Sequence, residues 1–245
     1  MKKVCLLTGA SGRLGTAFCR MYADQYNIVA VYRSRPPNVV SQLQRFVDPL
    51  DSVATLTENE HPVYAVQADL HDDKSLSHIV DIALARFDRI DLLLNSAADL
   101  SFLGNIADCN NSSKKITDQF NLNVLVPMKL SAIIVDKFWK HRADNGQANR
   151  SIINVSSTSG LTIFPFVGQS IYSASKSALN TLSGHMTCEF KTFGVRVNTL
   201  APTRFPGVIS TESVARAAMR LAEGDMNGEI LVIDKDSERF VTKTQ

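Results

Sequence analysis

With 245 residues, 44% of them hydrophobic and 20% charged, and a formal net charge of +2, the chain can bury a full core and lacks the positive excess of a general nucleic-acid binder. Cys5, Cys19, Cys109 and Cys188 lie far apart with no C-x-x-C spacing, so neither a zinc site nor a disulfide framework is expected, which suits reduced thiols in a cytosol. The apolar run Val4 to Leu7 after Met1-Lys2-Lys3 is interrupted at Thr8-Gly9, too early for a secretion signal, and no other stretch approaches the length of a membrane span. A cytoplasmic protein is expected.

In chain order, short apolar runs predict strands at Val4 to Leu7, Ile28 to Tyr32, Val63 to Gln67, Asp91 to Leu94, Ser151 to Val155, Val195 to Leu200 and Ile230 to Ile233. Between them, amphipathic segments predict helices near Leu14 to Tyr26, Val39 to Phe46, Lys74 to Phe87, Thr117 to Arg142, Tyr172 to Phe193 and Thr211 to Ala222. Strict alternation of this kind predicts an α/β fold: a single doubly wound domain over 1–245, about seven parallel strands with helices on both faces. The prolines between Ser34 and Pro62, and Asn110-Asn111-Ser112-Ser113 within Asp99 to Lys115, predict two long surface loops, the second mobile. The polar tail from Asp236 to Gln245 is expected to fray, with Phe240 able to dock on a neighbour.

Thr8-Gly9-Ala10-Ser11-Gly12-Arg13-Leu14-Gly15 follows the first strand and opens a helix. Glycines there let the backbone approach a pyrophosphate, and the helix N-terminus presents unpaired N–H groups and the positive end of its dipole. An NAD-selective site places an acid at the end of the second strand, but the chain has Arg33, Ser34 and Arg35 there, with Arg13 close by. Those residues suit a 2′-phosphate, so NADP(H) is favoured over NAD(H).

Tyr172 and Lys176 stand four apart in Tyr172-Ser173-Ala174-Ser175-Lys176, one turn apart on one helix face. A free tyrosine has a pKa of about 10, and a neighbouring cation would stabilise its phenolate.

With the glycine turn and Tyr172-x-x-x-Lys176 in one α/β chain, the sequence resembles the short-chain dehydrogenase/reductase family over nearly its whole length. The resemblance implies a Rossmann-type fold and an oxidoreductase. Asp69 and Leu70 resemble the family's residues beside the adenine, and Asn95-Ser96-Ala97-Ala98 stands where the family has Asn-Asn-Ala-Gly. Asn123 matches the family's relay asparagine, and Ser157 its catalytic serine, with Ser156 and Ser159 as alternatives. Cofactor contacts are thereby expected from Gly9, Ser11, Gly12, Arg13, Leu14, Gly15, Arg33, Ser34, Asp69, Leu70, Asn95, Ala97, Tyr172, Lys176, Pro202 and Thr203. Hydride would pass between nicotinamide and a carbonyl or alcohol carbon. Tyr172 would act as general acid/base, Ser157 would bond the oxygen, and Lys176 would lower the tyrosine pKa while binding the nicotinamide ribose.

The chain departs from the family after strand six, where Pro202 to Ser210 leaves a drastically shortened substrate lid. The cleft is expected to stay open, for a substrate that is large or carried on a partner. Leu100, Phe102, Phe164 and Phe205, with Leu161, Phe166 and Val167, are candidate pocket residues and suggest an apolar carbonyl compound. The helix from Thr117 and the Tyr172 helix resemble the family's dimer-forming surface, so a homodimer or homotetramer is expected. His61, His71, His78, His141 and His185 form no ligand pattern, and no metal is expected. A 3-oxoacyl-carrier-protein reductase is the alternative enzyme, and an NADP(H)-binding regulatory protein the alternative of another class.

Overall fold

A computed structural model of the chain describes residues 2–43, 61–142, 149–165, 167–235 and 237–242. Strands β1 (Lys3–Thr8), β2 (Tyr26–Tyr32), β3 (Gln42–Leu43), β4 (Val63–Gln67), β5 (Leu92–Asn95), β6 (Arg150–Val155), β7 (Val195–Pro202), β8 (Glu229–Ile233) and β9 (Glu238–Thr242) alternate with helices. The helices are α1 (Arg13–Tyr22), α2 (Asp73–Phe87), α3 (Ser113–Phe120), α4 (Val126–Lys137), α5 (Ser170–Phe190) and α6 (Thr211–Glu223). All strands join one sheet in the order β3-β4-β2-β1-β5-β6-β7-β8-β9. Neighbours from β3 to β8 pair in parallel, and only β9 runs antiparallel among the described residues.

Because successive strand residues face opposite ways, each central strand feeds two cores. Cys5, Leu7, Ile28, Ala30, Leu92 and Leu94 pack under α1 and α6, with Phe18, Val214 and Leu221. Val4, Leu6, Val29, Val31 and Leu93 pack under α2 and α4, with Ile79, Leu130 and Ile134. Register brings the carboxyl ends of the central strands to one rim: Thr8 lies beside both Val31 and Asn95, and Asn95 beside Asn154.

Five expectations are corrected. The helix from Thr117 to Arg142 is broken into α3, a π-helical turn at Asn121–Leu125, α4 and a 3-10 turn at Trp139–His141. Pro127 is the cause at the first break, since it has no N–H to give the carbonyl four residues back. The expected loop Asp99 to Lys115 holds a 3-10 helix, Ile106–Ser112, and the start of α3. Residues 39–43 of the expected helix Val39 to Phe46 are not helical and include the short edge strand β3, while 44–46 lie outside the described residues. The tail is not frayed through 238–242, because β9 pairs with β8, Arg220 bridges Glu238 and its guanidinium stands over the Phe240 ring. With β3 and β9, the sheet has nine strands among the described residues rather than about seven.

Trp139, the single tryptophan, is fully buried and donates from Nε1 to the Ile90 carbonyl at 2.9 Å, tying the end of α4 to the start of β5. Trp139→Ala is expected to cost about 3–5 kcal/mol in denaturant unfolding. The native emission should be blue-shifted and move red on unfolding, as fluorescence titration will check.

Candidate functional site

The crevice opens where β1 sits between β2 and β5, so that α1 leaves to one face and the connection after β5 to the other. A cavity of about 340 Å³ there is lined by Gly9, Ser11, Gly12, Arg33, Ser34, Asp69, Leu70 and Ala97, eight of the expected cofactor residues. Gly9 has φ +69, and a Cβ on it would lie 2.8 Å from the Ala97 backbone, so the glycine turn rests against the loop after β5. Thr8 Oγ1 accepts the Ser96 and Ala97 amides at 3.1 and 3.2 Å and fixes that approach. The first turn of α1 directs its unpaired amides at Arg13, Leu14 and Gly15 to this end.

The remaining expected cofactor residues are placed differently. The Leu14 side chain is in the core, and Gly15 packs on the Gly9 carbonyl, so only their main chain faces a ligand. Arg13 borders the adjoining groove with Arg20 and Pro206. Asn95 is buried behind the cavity, where its Nδ2 donates to Asn154 Oδ1 at 2.8 Å and its Oδ1 has no partner. Pro202 ends β7, and Thr203 extends the pairing by donating its amide to the Ile233 carbonyl at 2.9 Å. Val31, Tyr32, Ala68, His71, Ser96, Ala98, Asp99 and Leu122 also line the cavity. Most of them lie at or just beyond the carboxyl ends of β2, β4 and β5, which was the sequence signal available for them. Leu122 had none, because it comes from the π-helical turn.

Farther along the rim, Tyr172 and Lys176 project from α5. The Ser157 side chain acts on the Tyr172 phenol and lowers its pKa, while its Oγ accepts the Ser159 amide at 3.1 Å. Of the competing serines, Ser156 is buried and donates to the Lys176 carbonyl at 3.3 Å, and Ser159 donates to Gln169 Oε1 at 3.2 Å. Of the three, only Ser157 influences the phenol. Asn123, fully buried in the π-helical turn, accepts the Asp99 amide at 2.7 Å on Oδ1. Its Nδ2 donates to the Asp99 carbonyl at 2.9 Å and to Ser175 Oγ at 3.1 Å, and Ser175 in turn donates to the Tyr172 carbonyl. One amide thus clamps the loop after β5 to the helix that carries the phenol.

The electrostatics correct one expectation. Burial is the largest influence on Tyr172 and raises its pKa, which Ser157 offsets only in part. Lys176 is buried too, which lowers its pKa to about 8, and its Nζ donates to the Val155 carbonyl at 2.8 Å and stands 5.7 Å from the Tyr172 ring centroid. Burial therefore drives both groups toward their neutral forms instead of creating a phenolate–ammonium pair.

The expected pocket residues disperse. Phe102 is buried, with its amide donating to Gln119 Oε1, while Leu100 and Val167 are exposed. Phe205, with Ile209, packs on the cluster shared by α1 and α6. Leu161 and Phe164 border a groove whose helical wall is Ser170, Ser173, Ala174 and Ser177. At about 100° per residue those positions lie roughly 100° to 200° around α5 from Tyr172, so this groove occupies another flank of the helix. Phe166 lies outside the described residues.

A family model described as short chain dehydrogenase matches residues 3–220. The chain therefore belongs to the short-chain dehydrogenase/reductase family, whose members are oxidoreductases that bind a nicotinamide cofactor. Mouse (Mus musculus) Dehydrogenase/reductase SDR family member 4 is 28% identical over 215 residues, which span 86% of this chain and 70% of the mouse protein. Among solved structures, ElxO with NADP bound has a TM-score of 0.73 at 20% identity, covering 96% of this chain and 98% of its own. NADH-dependent reductase A1-R' complexed with NAD has a TM-score of 0.76 at 20% identity, covering 96% and 95%. At such identities the likeness establishes the fold, and the two structures carry different dinucleotides. No helix among the described residues is long and apolar enough to cross a membrane.

The Lys176 environment predicts a pH dependence. With a folded pKa near 8 against an ordinary 10.5, the unfolded chain binds more protons between those values, so stability rises with pH across that window. Relative to Lys176→Met, the wild type is expected to gain about 3 kcal/mol from the lower to the upper end of this range. Denaturant titrations of both proteins at each pH check this, and a constant difference would refute it.

Proposed function

We propose that the protein is an NADP(H)-dependent carbonyl reductase or alcohol dehydrogenase with Tyr172 as general acid/base. The observation that carries the reading is the Tyr172 phenol set beside Lys176 and acted on by Ser157, on the rim that also holds the glycine-turn cavity. The cavity's residues fit a dinucleotide. Gly9, Gly12 and the α1 amides would take the pyrophosphate, Asp69 and Leu70 the adenine end, and Arg33 and Ser34 a 2′-phosphate. Bound there, the nicotinamide supplies or accepts hydride.

The chain's own residues manage the proton and the oxygen. With its pKa raised by burial, Tyr172 remains a phenol at neutral pH and has a proton to give as a carbonyl oxygen becomes an alkoxide. Ser157 directs a second O–H to the same oxygen. When protonated, Lys176 stabilises the phenolate left behind and so favours the transfer of the proton to the substrate oxygen. With the Asn123 side-chain amide engaged by Asp99 and Ser175, its main-chain carbonyl is the group that would hold a relay water. Pro127, four residues on, has no N–H to occupy that carbonyl. The short link after Pro202 turns Phe205 and Ile209 to the core, which supports an open cleft and a large or carrier-borne substrate.

Cofactor absorbance, followed against ketones, aldehydes and acyl thioesters, tests the reading. Tyr172→Phe is expected to lower kcat about 10²- to 10⁴-fold with nucleotide Kd little changed. An equally active Phe variant would reject Tyr172 as the acid, and tight binding without any turnover would favour a regulatory protein. For cofactor choice, Arg33→Glu is expected to shift the NADPH-to-NADH ratio of kcat/KM toward NADH by about 10- to 100-fold. An unchanged ratio would remove Arg33 from 2′-phosphate recognition.

A further inference from the structure

We propose that His71 is an adenine-binding residue, held in position by Asn121; the inference rests on reading the 340 Å³ cavity as the adenosine end of the dinucleotide site. His71 follows Asp69-Leu70 and lines the same cavity. Its main-chain amide donates to Asp69 Oδ1 at 3.0 Å, a local turn that fixes residue 71 at the rim. Its side chain is held from a different element: Asn121 Nδ2, in the π-helical turn, lies 3.2 Å from Nδ1.

An amide nitrogen only donates, so Nδ1 is the acceptor and the proton of the neutral ring resides on Nε2. The imidazole is half-buried, and the edge that Asn121 leaves free carries that N–H. A purine offers ring-nitrogen acceptors along its edge, and adenine is the part of a nicotinamide dinucleotide that supplies one here. The Asp118 carboxylate, on α3, is bonded to Lys114 at 2.8 Å, so that charge is already paired.

Three consecutive residues of the turn then serve one cavity. Asn121 holds His71, Leu122 forms part of the wall, and Asn123 clamps Asp99, another wall residue. Contact with the base is thus connected through two residues to the clamp that positions Tyr172.

The imidazole Cε1–H signals of the five histidines provide the first test, with the His71 signal identified by its loss in His71→Ala. It is expected to move on addition of ADP and to stay in place with nicotinamide mononucleotide, which has no adenine. Calorimetry should show His71→Ala weakening the tighter-bound of NADPH and NADH by about five- to twentyfold. In Asn121→Ala, long-range ¹⁵N–¹H spectra should change from a single Nε2–H tautomer to a mixture. A His71 signal unmoved by saturating ADP, or a His71→Ala Kd within about twofold of wild type, would overturn the assignment. Wild-type protein that binds neither ADP nor either dinucleotide would instead sink the reading of the cavity itself, and His71 with it.

Discussion

Parallel pairing of β1 with both β2 and β5 is the constraint on which the site depends. Because α1 covers one face and the helices after β5 the other, the carboxyl ends of these strands part and leave a crevice that no described helix fills. The glycine turn, Arg33, Asp69 and Ala97 meet there although more than 80 residues separate the first from the last. The same register places β6 and β7 alongside, so Ser157 emerges on the rim that Tyr172 reaches from α5.

The crevice alone would leave the phenol and the nucleotide cavity as independent surfaces. Asn123 joins them, through two hydrogen bonds to the Asp99 main chain and one to Ser175. The amide is buried, so an unmatched replacement would leave polar groups of the loop after β5 without partners. Its position comes from a break in the helix that Pro127 promotes, which makes a local irregularity part of the proposed catalytic arrangement.

Burial gives the reactive pair a second property. Tyr172 and Lys176 are each biased toward neutrality, and the lysine amine is bonded to the Val155 carbonyl. In the proposed carbonyl reduction, a phenol that keeps its proton is the acid, whereas the ammonium matters most once the phenol has given that proton away. The chemistry of the pair therefore depends on the order of charge changes, which residue spacing does not express.

The sequence by itself determined the strand and helix alternation, the glycine turn, the Arg33-Ser34 end of β2 and the Tyr172/Lys176 spacing. Each follows from local periodicity, turn chemistry or helix geometry. Only the tertiary structure turned Ser156 to the Lys176 carbonyl and Ser159 to Gln169 and left Ser157 to act on the phenol, since three neighbouring hydroxyls differ only in what packs against them. It also turned Asn95 and Phe205 inward, moved Leu161 and Phe164 to another flank of α5, and made a strand of 238–242. Those outcomes depend on contacts between segments far apart in the chain, where burial and hydrogen-bond partners override local pattern.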